Sequence, residues 1–271
     1  MRSMFKSTQF LLVLLAVLNP WPADGKAFPY TFNRNREVSL LTGSLVTLGY
    51  AQYRLENKSR VTSSEVEELS PGDINRFDRP WAGRFDAEAA KRSDTALFSS
   101  VALSPVYFAV TNDWEIYKQI LFLGLEVNGL SASVNQLSKG LVRRHRPRAY
   151  PASNLGIESK DDQDQVNSFF SGHASAISSN LFFFGKVFND LNQNSSLCLP
   201  VWFGVATIAA LGSWQRVLAG AHFPSDVLLG YVWGGAVGYW VPEMHRADDT
   251  KLAVTPFVDN EMIGLNFRLS L

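Results

Sequence analysis

Uncharged, largely apolar blocks alternate with charged stretches along this chain. The blocks cover residues 38–53, 95–112, 119–138, 165–185, 191–215 and 227–242, and Glu126 interrupts the third of them. Blocks of this length suit helices and are too long for typical strands. The charged stretch at residues 55–94 is typical of a surface loop with short helices. We therefore expect an all-α protein, built as an antiparallel bundle of about six core helices.

The same blocks leave the relation to a membrane open. Several are shorter than the ~20 apolar residues that span a bilayer, and the longer ones contain serine, asparagine and glutamine. They suit weak transmembrane helices or the inner helices of a soluble bundle. Gly230, Gly234 and Gly238 recur at every fourth residue, a spacing that lets helices approach closely in either setting.

The first residues have the pattern of an export signal. Arg2 and Lys6 precede an apolar run at residues 10–18, and small residues follow at 23–25. This order predicts a secretory signal peptide at residues 1–25, with an uncleaved membrane anchor as the alternative. The predicted location is the cell envelope, in or on a membrane, with the active site facing the periplasm. If the signal is cleaved and every block crosses the membrane, the loop after the third block is cytoplasmic instead.

The last residues change period. Apolar and polar side chains alternate from residue 263 to residue 271, which predicts a strand. Residues 252–258 are its expected partner, so a short C-terminal β-hairpin should cover one end of the bundle. The predicted organisation is a signal peptide at 1–25, an N-terminal helix and polar loop region at 26–94, a core bundle at 95–242 and a C-terminal extension at 243–271.

Composition excludes some classes of function. The chain has 25 lysine and arginine residues against 25 aspartate and glutamate residues, so its net charge favours neither a nucleic-acid partner nor an acidic tail. Cys198 is the only cysteine, so no internal disulfide and no thiolate metal cluster can form.

Two places break the apolar pattern with groups that suit an anion. A cationic run from Lys139 to Pro147 follows the third block. Ser171, Gly172 and His173 stand at a predicted helix start, where free N–H groups and the helix dipole favour phosphate oxygens. Taken alone, the run also suits a solvated face, and the second place also suits an ordinary capped helix.

A third place has an arginine, a histidine and an aspartate in an apolar stretch. Arg216, His222 and Asp226 form this trio, which is costly to bury unless its members pair with one another or with a ligand. The structural alternative is that Asp226 caps the next helix and His222 is a core histidine. Because all three places lie at helix ends, antiparallel packing is expected to bring them to one end of the bundle.

Together these residues resemble the three-part signature of the type 2 phosphatidic acid phosphatase and vanadium haloperoxidase superfamily. The matching positions are Lys139, Arg146 and Pro147, then Ser171, Gly172 and His173, then Arg216, His222 and Asp226. The resemblance covers residues 94–242. Phe170 stands where the family often has proline, and Gln215 where it often has serine. Neither departure replaces a charged or nucleophilic residue.

The resemblance implies a role for each of these residues. His222 is the expected nucleophile, with Asp226 accepting its other ring N–H, and His173 is the expected general acid and base. The expected phosphate contacts are made by Lys139, Arg146 and Arg216 and by the backbone of Ser171 and Gly172.

The function so implied is a metal-independent, acid-type phosphatase that hydrolyses phosphomonoesters or pyrophosphates, chiefly lipid-linked ones, through a phosphohistidine. The expected partners are a membrane and a phosphorylated lipid or small phosphoester. No cofactor and no metal is expected, because only two of the four histidines lie in the site motifs and no paired-histidine helix motif occurs. A vanadate-dependent haloperoxidase and a non-catalytic membrane scaffold stay open as alternatives.

Overall fold

The computed structural model describes residues 28–59, 61–103, 106, 113–150, 163–247, 252–258 and 263–269. The predicted signal peptide at residues 1–25 lies outside the described residues. The described part of the chain is mainly helical, as the block lengths predict. Its α-helices are α1 Arg34–Glu56, α2 Ser63–Glu67, α3 Ala87–Val101, α4 Trp114–Leu141, α5 Gly172–Leu191, α6 Cys198–Leu218 and α7 Pro224–Met244.

Side-chain caps explain where several of these helices begin. Asn33, Asp86 and Asp113 each accept hydrogen bonds from two backbone N–H groups in the first turn of α1, α3 and α4, respectively. Ser171 caps α5 by accepting from the N–H of Ala174. A short polar side chain at this position satisfies donors that the helix itself cannot.

The fourth apolar block becomes helical only at the helix start that the Ser171, Gly172 and His173 motif predicts. Residues Gln163–Val166 form a 3₁₀ turn, and α5 begins only at Gly172. The intervening backbone pairs with the cationic run instead. Arg144 donates its N–H to Val166 and accepts one from Ser168, at 3.1 Å each. These bonds use backbone groups that a longer α5 would need, and they bring two of the predicted motifs side by side.

The core of the bundle is apolar and sits between α4, α5 and α7. Its buried side chains include Ile120, Leu123, Val127, Phe183, Val187, Val237 and Val241. The predicted close approach of helices through glycine is confirmed. A Cβ atom added at Gly230, Gly234 or Gly238 on α7 would collide with the backbone carbonyl of Ser171, Ser175 or Ser179 on α5. The small residues therefore fix α7 directly against the helix that carries His173.

The order of the helices gathers the motifs at one end of this bundle. Lys139 lies in the last turn of α4, and Arg216 in the last turn of α6. His173 lies in the first turn of α5, and Asp226 in the first turn of α7. Antiparallel neighbours place the end of one helix beside the beginning of the next, as expected from the sequence.

Two features bear on the remaining fold predictions. Strands β1 Leu252–Val258 and β2 Ile263–Leu269 pair antiparallel, with Leu252 opposite Leu269 and Val258 opposite Ile263. The turn residues 259–262 lie outside the described residues, so the complete hairpin stays a prediction. Among the described helices, α6 alone is long and apolar enough to cross a membrane by length and composition.

Candidate active site

His222 lies in the tight turn between α6 and α7. Gly220 has a φ of 64°, in the left-handed region, and a Cβ atom there would collide with the carbonyl of Arg84. The N–H groups of Ala221 and His222 fold back onto the carbonyl of Arg216, at 3.1 and 3.3 Å. The turn therefore depends on glycine, and it directs the imidazole into the end of the bundle.

The ring of His222 is buried with one nitrogen fixed and the other facing cations. Its side chain is 1% exposed. Nδ1 lies 2.6 Å from the carbonyl oxygen of Ser168, which makes Nδ1 the protonated nitrogen. Nε2 lies 3.4 Å from Nη1 of Arg146. Burial and the nearby charges of Arg146, Lys139 and Arg216 hold the pKa of His222 well below its usual range. The ring is therefore neutral, with an unprotonated Nε2 whose lone pair faces an N–H of Arg146.

Asp226 does not contact this ring as predicted. Its carboxylate accepts hydrogen bonds from Oγ of Ser168, at 2.6 Å, and from the N–H of Phe223, at 2.9 Å, and it pairs with Arg144. The predicted hydrogen bond from the His222 ring to Asp226 is therefore wrong. Asp226 instead holds Ser168, whose carbonyl orients the ring, so its contact with the histidine is indirect.

His173 has an acidic partner that the sequence does not indicate. Its Nε2 lies 2.9 Å from Oδ1 of Asp94 on α3, which is 79 residues away in the chain. Burial and the charge of Arg216 lower the pKa of His173 to about 4, and Asp94 opposes that shift. A bound phosphate dianion would offset the charge of Arg216 and favour the protonated ring. This geometry suits a group that changes protonation when an anion binds.

Lys139 and Gly172 make one close contact. A Cβ atom added at Gly172 would lie 3.3 Å from Nζ of Lys139 and 2.8 Å from Oδ1 of Asn135. Glycine at this position therefore leaves room for the ammonium group at the start of α5. Burial, and then the charge of Arg146, lower the pKa of Lys139 to about 8.

The two arginines of the site are anchored differently. Arg146 donates to the carbonyl of Ala221 at 2.9 Å and pairs with Asp164 at 2.7 Å. Arg216 donates to Oγ of Ser93 at 3.0 Å, and its Nε has no hydrogen-bond partner among the described residues. The charges of both arginines contribute to lowering the pKa of His222.

Ser171 differs from its predicted role. Its backbone N–H donates to the carbonyl of Asp226 at 3.1 Å, so that group is not free for phosphate. The prediction that this N–H binds phosphate is therefore wrong. Ser171 instead joins the beginnings of α5 and α7, and the predicted backbone donor is left to Gly172.

The cationic run divides between the site and the surface. Arg143 and His145 both contact Glu65, which keeps them out of the site. Arg144 connects Asp78 with Asp226 beneath the His222 turn. Arg144 and Ser168 lie inside the motifs read from the sequence. Sequence motifs do not identify three further residues of the site, because their partners are distant in the chain: Asp78, Asp94 and Asp164.

The assembled residues have the charges that suit an anion. Nε2 of a neutral histidine faces Arg146, the charges of Lys139 and Arg216 also act on this ring, and a second histidine pairs with a carboxylate. Comparison with known proteins gives one result for the same region. The family model described as "PAP2 superfamily" matches residues 120–249. Comparisons with curated proteins and with solved structures found no match.

Proposed function

We propose that this chain, whose residues 120–249 belong to the PAP2 superfamily, hydrolyses phosphate esters through a phosphohistidine at His222. One observation carries the proposal. Nδ1 of the buried ring donates to the Ser168 carbonyl, so the unprotonated Nε2 faces the cation that lies 3.4 Å away on Arg146. A nucleophile among fixed cations is what attack on an anionic phosphoryl group requires.

The first step transfers the phosphoryl group to the enzyme. Lys139, Arg146 and Arg216 hold the non-bridging oxygens while Nε2 of His222 attacks phosphorus. The bond from phosphorus to the leaving oxygen breaks, and His173 gives that oxygen a proton. The alcohol leaves, and the ring of His173 is then neutral because it has given up its proton.

The second step returns the enzyme to its starting state. Neutral His173 takes a proton from a water molecule, whose oxygen attacks phosphorus. The bond from phosphorus to Nε2 of His222 breaks, and inorganic phosphate leaves. The cations supply the charge stabilisation that a metal ion supplies in other phosphotransfer enzymes, so the proposal requires no metal at this site.

A lipid-linked substrate is the second part of the proposal. On α6 the large apolar side chains of Leu199, Phe203 and Leu211 are each more than 60% exposed. On α7 the apolar side chains of Leu228 and Trp240 are also exposed, at 57% and 62%. Large exposed apolar patches mark contact with a partner or a membrane. A bundle held in a membrane by α6 would present its site to phosphorylated headgroups.

A screen of phosphate release tests the proposed activity. The full chain in detergent is offered phosphorylated lipids, lipid pyrophosphates and soluble monoesters, with His222→Gln as the inactive control. We expect release from at least one class in excess chelator, at a temperature where the protein stays folded. We also expect inhibition by vanadate, which mimics the five-coordinate transition state. No release from any class would favour the scaffold, and halide oxidation by the vanadate-loaded protein would favour the haloperoxidase.

The orientation of the site is tested separately. A reporter that works only in the periplasm is inserted near Ser153 in one fusion and placed after Pro242 in another. We expect the Ser153 fusion to report export, because the chain between α4 and α5 carries site residues. A cytoplasmic signal from that fusion would contradict the proposed periplasmic orientation.

A further inference from the structure

A second cluster of ionisable side chains lies away from the His222 site. Glu37 is in the first turn of α1, Glu126 is in the middle of α4, and His245 directly follows α7. Glu126 precedes Lys139 by about three and a half turns of α4, which is about 20 Å along the helix. This cluster therefore plays no direct part in the proposed phosphate chemistry.

The three side chains are buried and several of their polar atoms are unsatisfied. Oε1 of Glu37 has partners, since it accepts from Arg36 and from the Asn33 N–H at 2.9 Å each. Glu37, Glu126 and His245 are 4%, 2% and 0% exposed. Both carboxylate oxygens of Glu126, one of Glu37 and Nε2 of His245 have no hydrogen-bond partner among the described residues. Buried polar atoms in native proteins are nearly always paired, so this convergence needs a physical cause.

The orientation of the imidazole indicates what is missing. Nδ1 of His245 lies 2.7 Å from the carbonyl of Val241, so Nδ1 is the protonated nitrogen. Nε2 then faces Oε2 of Glu126 at 3.0 Å and Oε1 of Glu37 at 3.2 Å. A lone pair and two carboxylates repel one another unless a cation lies between them. A ligating histidine typically donates its other ring N–H to a carbonyl in this way.

The spacing of these atoms suits a metal ion. Ligands at about 2.1 Å from a common centre are separated by about 3.0 Å at octahedral and about 3.4 Å at tetrahedral angles. The two distances from Nε2 lie in this range.

We propose that Glu37, Glu126 and His245 bind one divalent cation of the zinc class. One imidazole nitrogen and two carboxylates are ligands that zinc accepts. The ion would join α1, the middle of α4 and the end of α7. Arg36 donates to the carbonyl of Met244 at 2.5 Å, and the N–H of Thr31 donates to the carbonyl of His245 at 2.6 Å. The N-terminal segment therefore already contacts the end of α7. The role of the ion is structural.

A proton is the competing occupant. If His245 were protonated, its imidazolium and Arg36 would balance the two carboxylates, and the cluster would have a net charge of zero. The Nε2–H of the ring would then point at a carboxylate oxygen. Nε2 makes no hydrogen bond of acceptable geometry to either oxygen, although both lie within ion-pair distance. The absence of such a hydrogen bond favours a metal ion over a shared proton.

Metal content and thermal stability test the site without using turnover. The full chain is purified in detergent, stripped with chelator and titrated with Zn²⁺. We expect one zinc per chain by mass spectrometry, and a rise in Tm of about 5 °C or more when zinc is ~100-fold above its Kd. Glu126→Gln, which keeps the side-chain shape, should lose both the bound zinc and the rise in Tm.

A matched control separates metal loss from general destabilisation. Asp190→Asn weakens another buried charge pair, which Asp190 forms with Lys186 without a histidine. This variant should lose stability and still bind one zinc. The proposal is overturned if stripped wild type binds no zinc, if zinc leaves its Tm unchanged, or if Glu126→Gln binds zinc as wild type does. In the first two cases a Tm that falls as pH rises, with no metal added, would assign the cluster to the shared proton.

Discussion

The bundle buries two histidines, His222 and His245, in nearly the same way but facing groups of opposite charge. Both rings are about 1% exposed or less, and both have Nδ1 directed at a backbone carbonyl, at 2.6 and 2.7 Å. Nε2 of His222 faces Arg146, whereas Nε2 of His245 faces Glu126 and Glu37. The carbonyl fixes which nitrogen is free, and the charges opposite that nitrogen decide whether the pocket suits an anion or a cation.

The sequence reveals these two sites unequally. At His222 the cations belong to compact motifs, so the residue types and their spacing predict an anion site. At His245 the ligands come from positions 37, 126 and 245, and no short motif joins them. Glu126 is visible in the sequence only as an interruption of an apolar block. Two histidines with the same local geometry therefore differ in whether their partners can be recognised from the sequence.

The largest expected effect comes from changing the cation that faces His222. Arg146→Lys keeps the charge but removes the planar fork that donates to Ala221 and pairs with Asp164. We expect kcat to fall by about 10²-fold, the cost of losing one well-placed donor to the transition state. Steady-state kinetics on the preferred substrate measure this loss. Arg143→Lys, in the same run but paired with Glu65, is the control that should keep turnover.

A smaller effect is expected at the carboxylate beside His173. Asp94→Asn keeps the shape but removes the charge that favours protonated His173. We expect kcat to fall about tenfold on an alkyl phosphate, whose leaving oxygen needs a proton, and less on p-nitrophenyl phosphate. Glu88→Gln, on the exposed face of the same helix, is the control. An equal loss of kcat on both substrates would mean that Asp94 supports the structure and does not assist His173 as the general acid.

The smallest effect is a pH dependence set by Lys139. Its pKa of about 8 means that rising pH removes a positive charge from the site. We expect kcat/KM, which reports the free enzyme, to fall about fourfold from pH 7 to pH 8.5. Lys139→Arg should retain its charge and move this alkaline limb to higher pH. If the alkaline limb of the kcat/KM profile lies at the same pH in this variant, the titrating group is not Lys139.

Most of the long helices could be predicted from block length, because buried helical faces need long apolar segments. The helix α3 is an exception, because it begins at Ala87 inside the charged stretch. The non-α-helical course of residues 165–168 could not be predicted, since it depends on backbone bonds to the distant cationic run. The same limit applies within the site. His173 and His222 stand out by motif, but the carboxylate of Asp94 and the carbonyl of Ser168 become their partners only through packing.

The covalent phosphoenzyme tests the central claim most directly. Wild type, His222→Ala and His173→Ala are mixed with labelled p-nitrophenyl phosphate, quenched rapidly and denatured in alkali, which preserves phosphohistidine. His173→Ala should accumulate label, because the good leaving group needs little acid and the second step lacks its base. His222→Ala should carry none. Label recovered on His173 of the His222→Ala protein would contradict the assignment of His222 as the nucleophile.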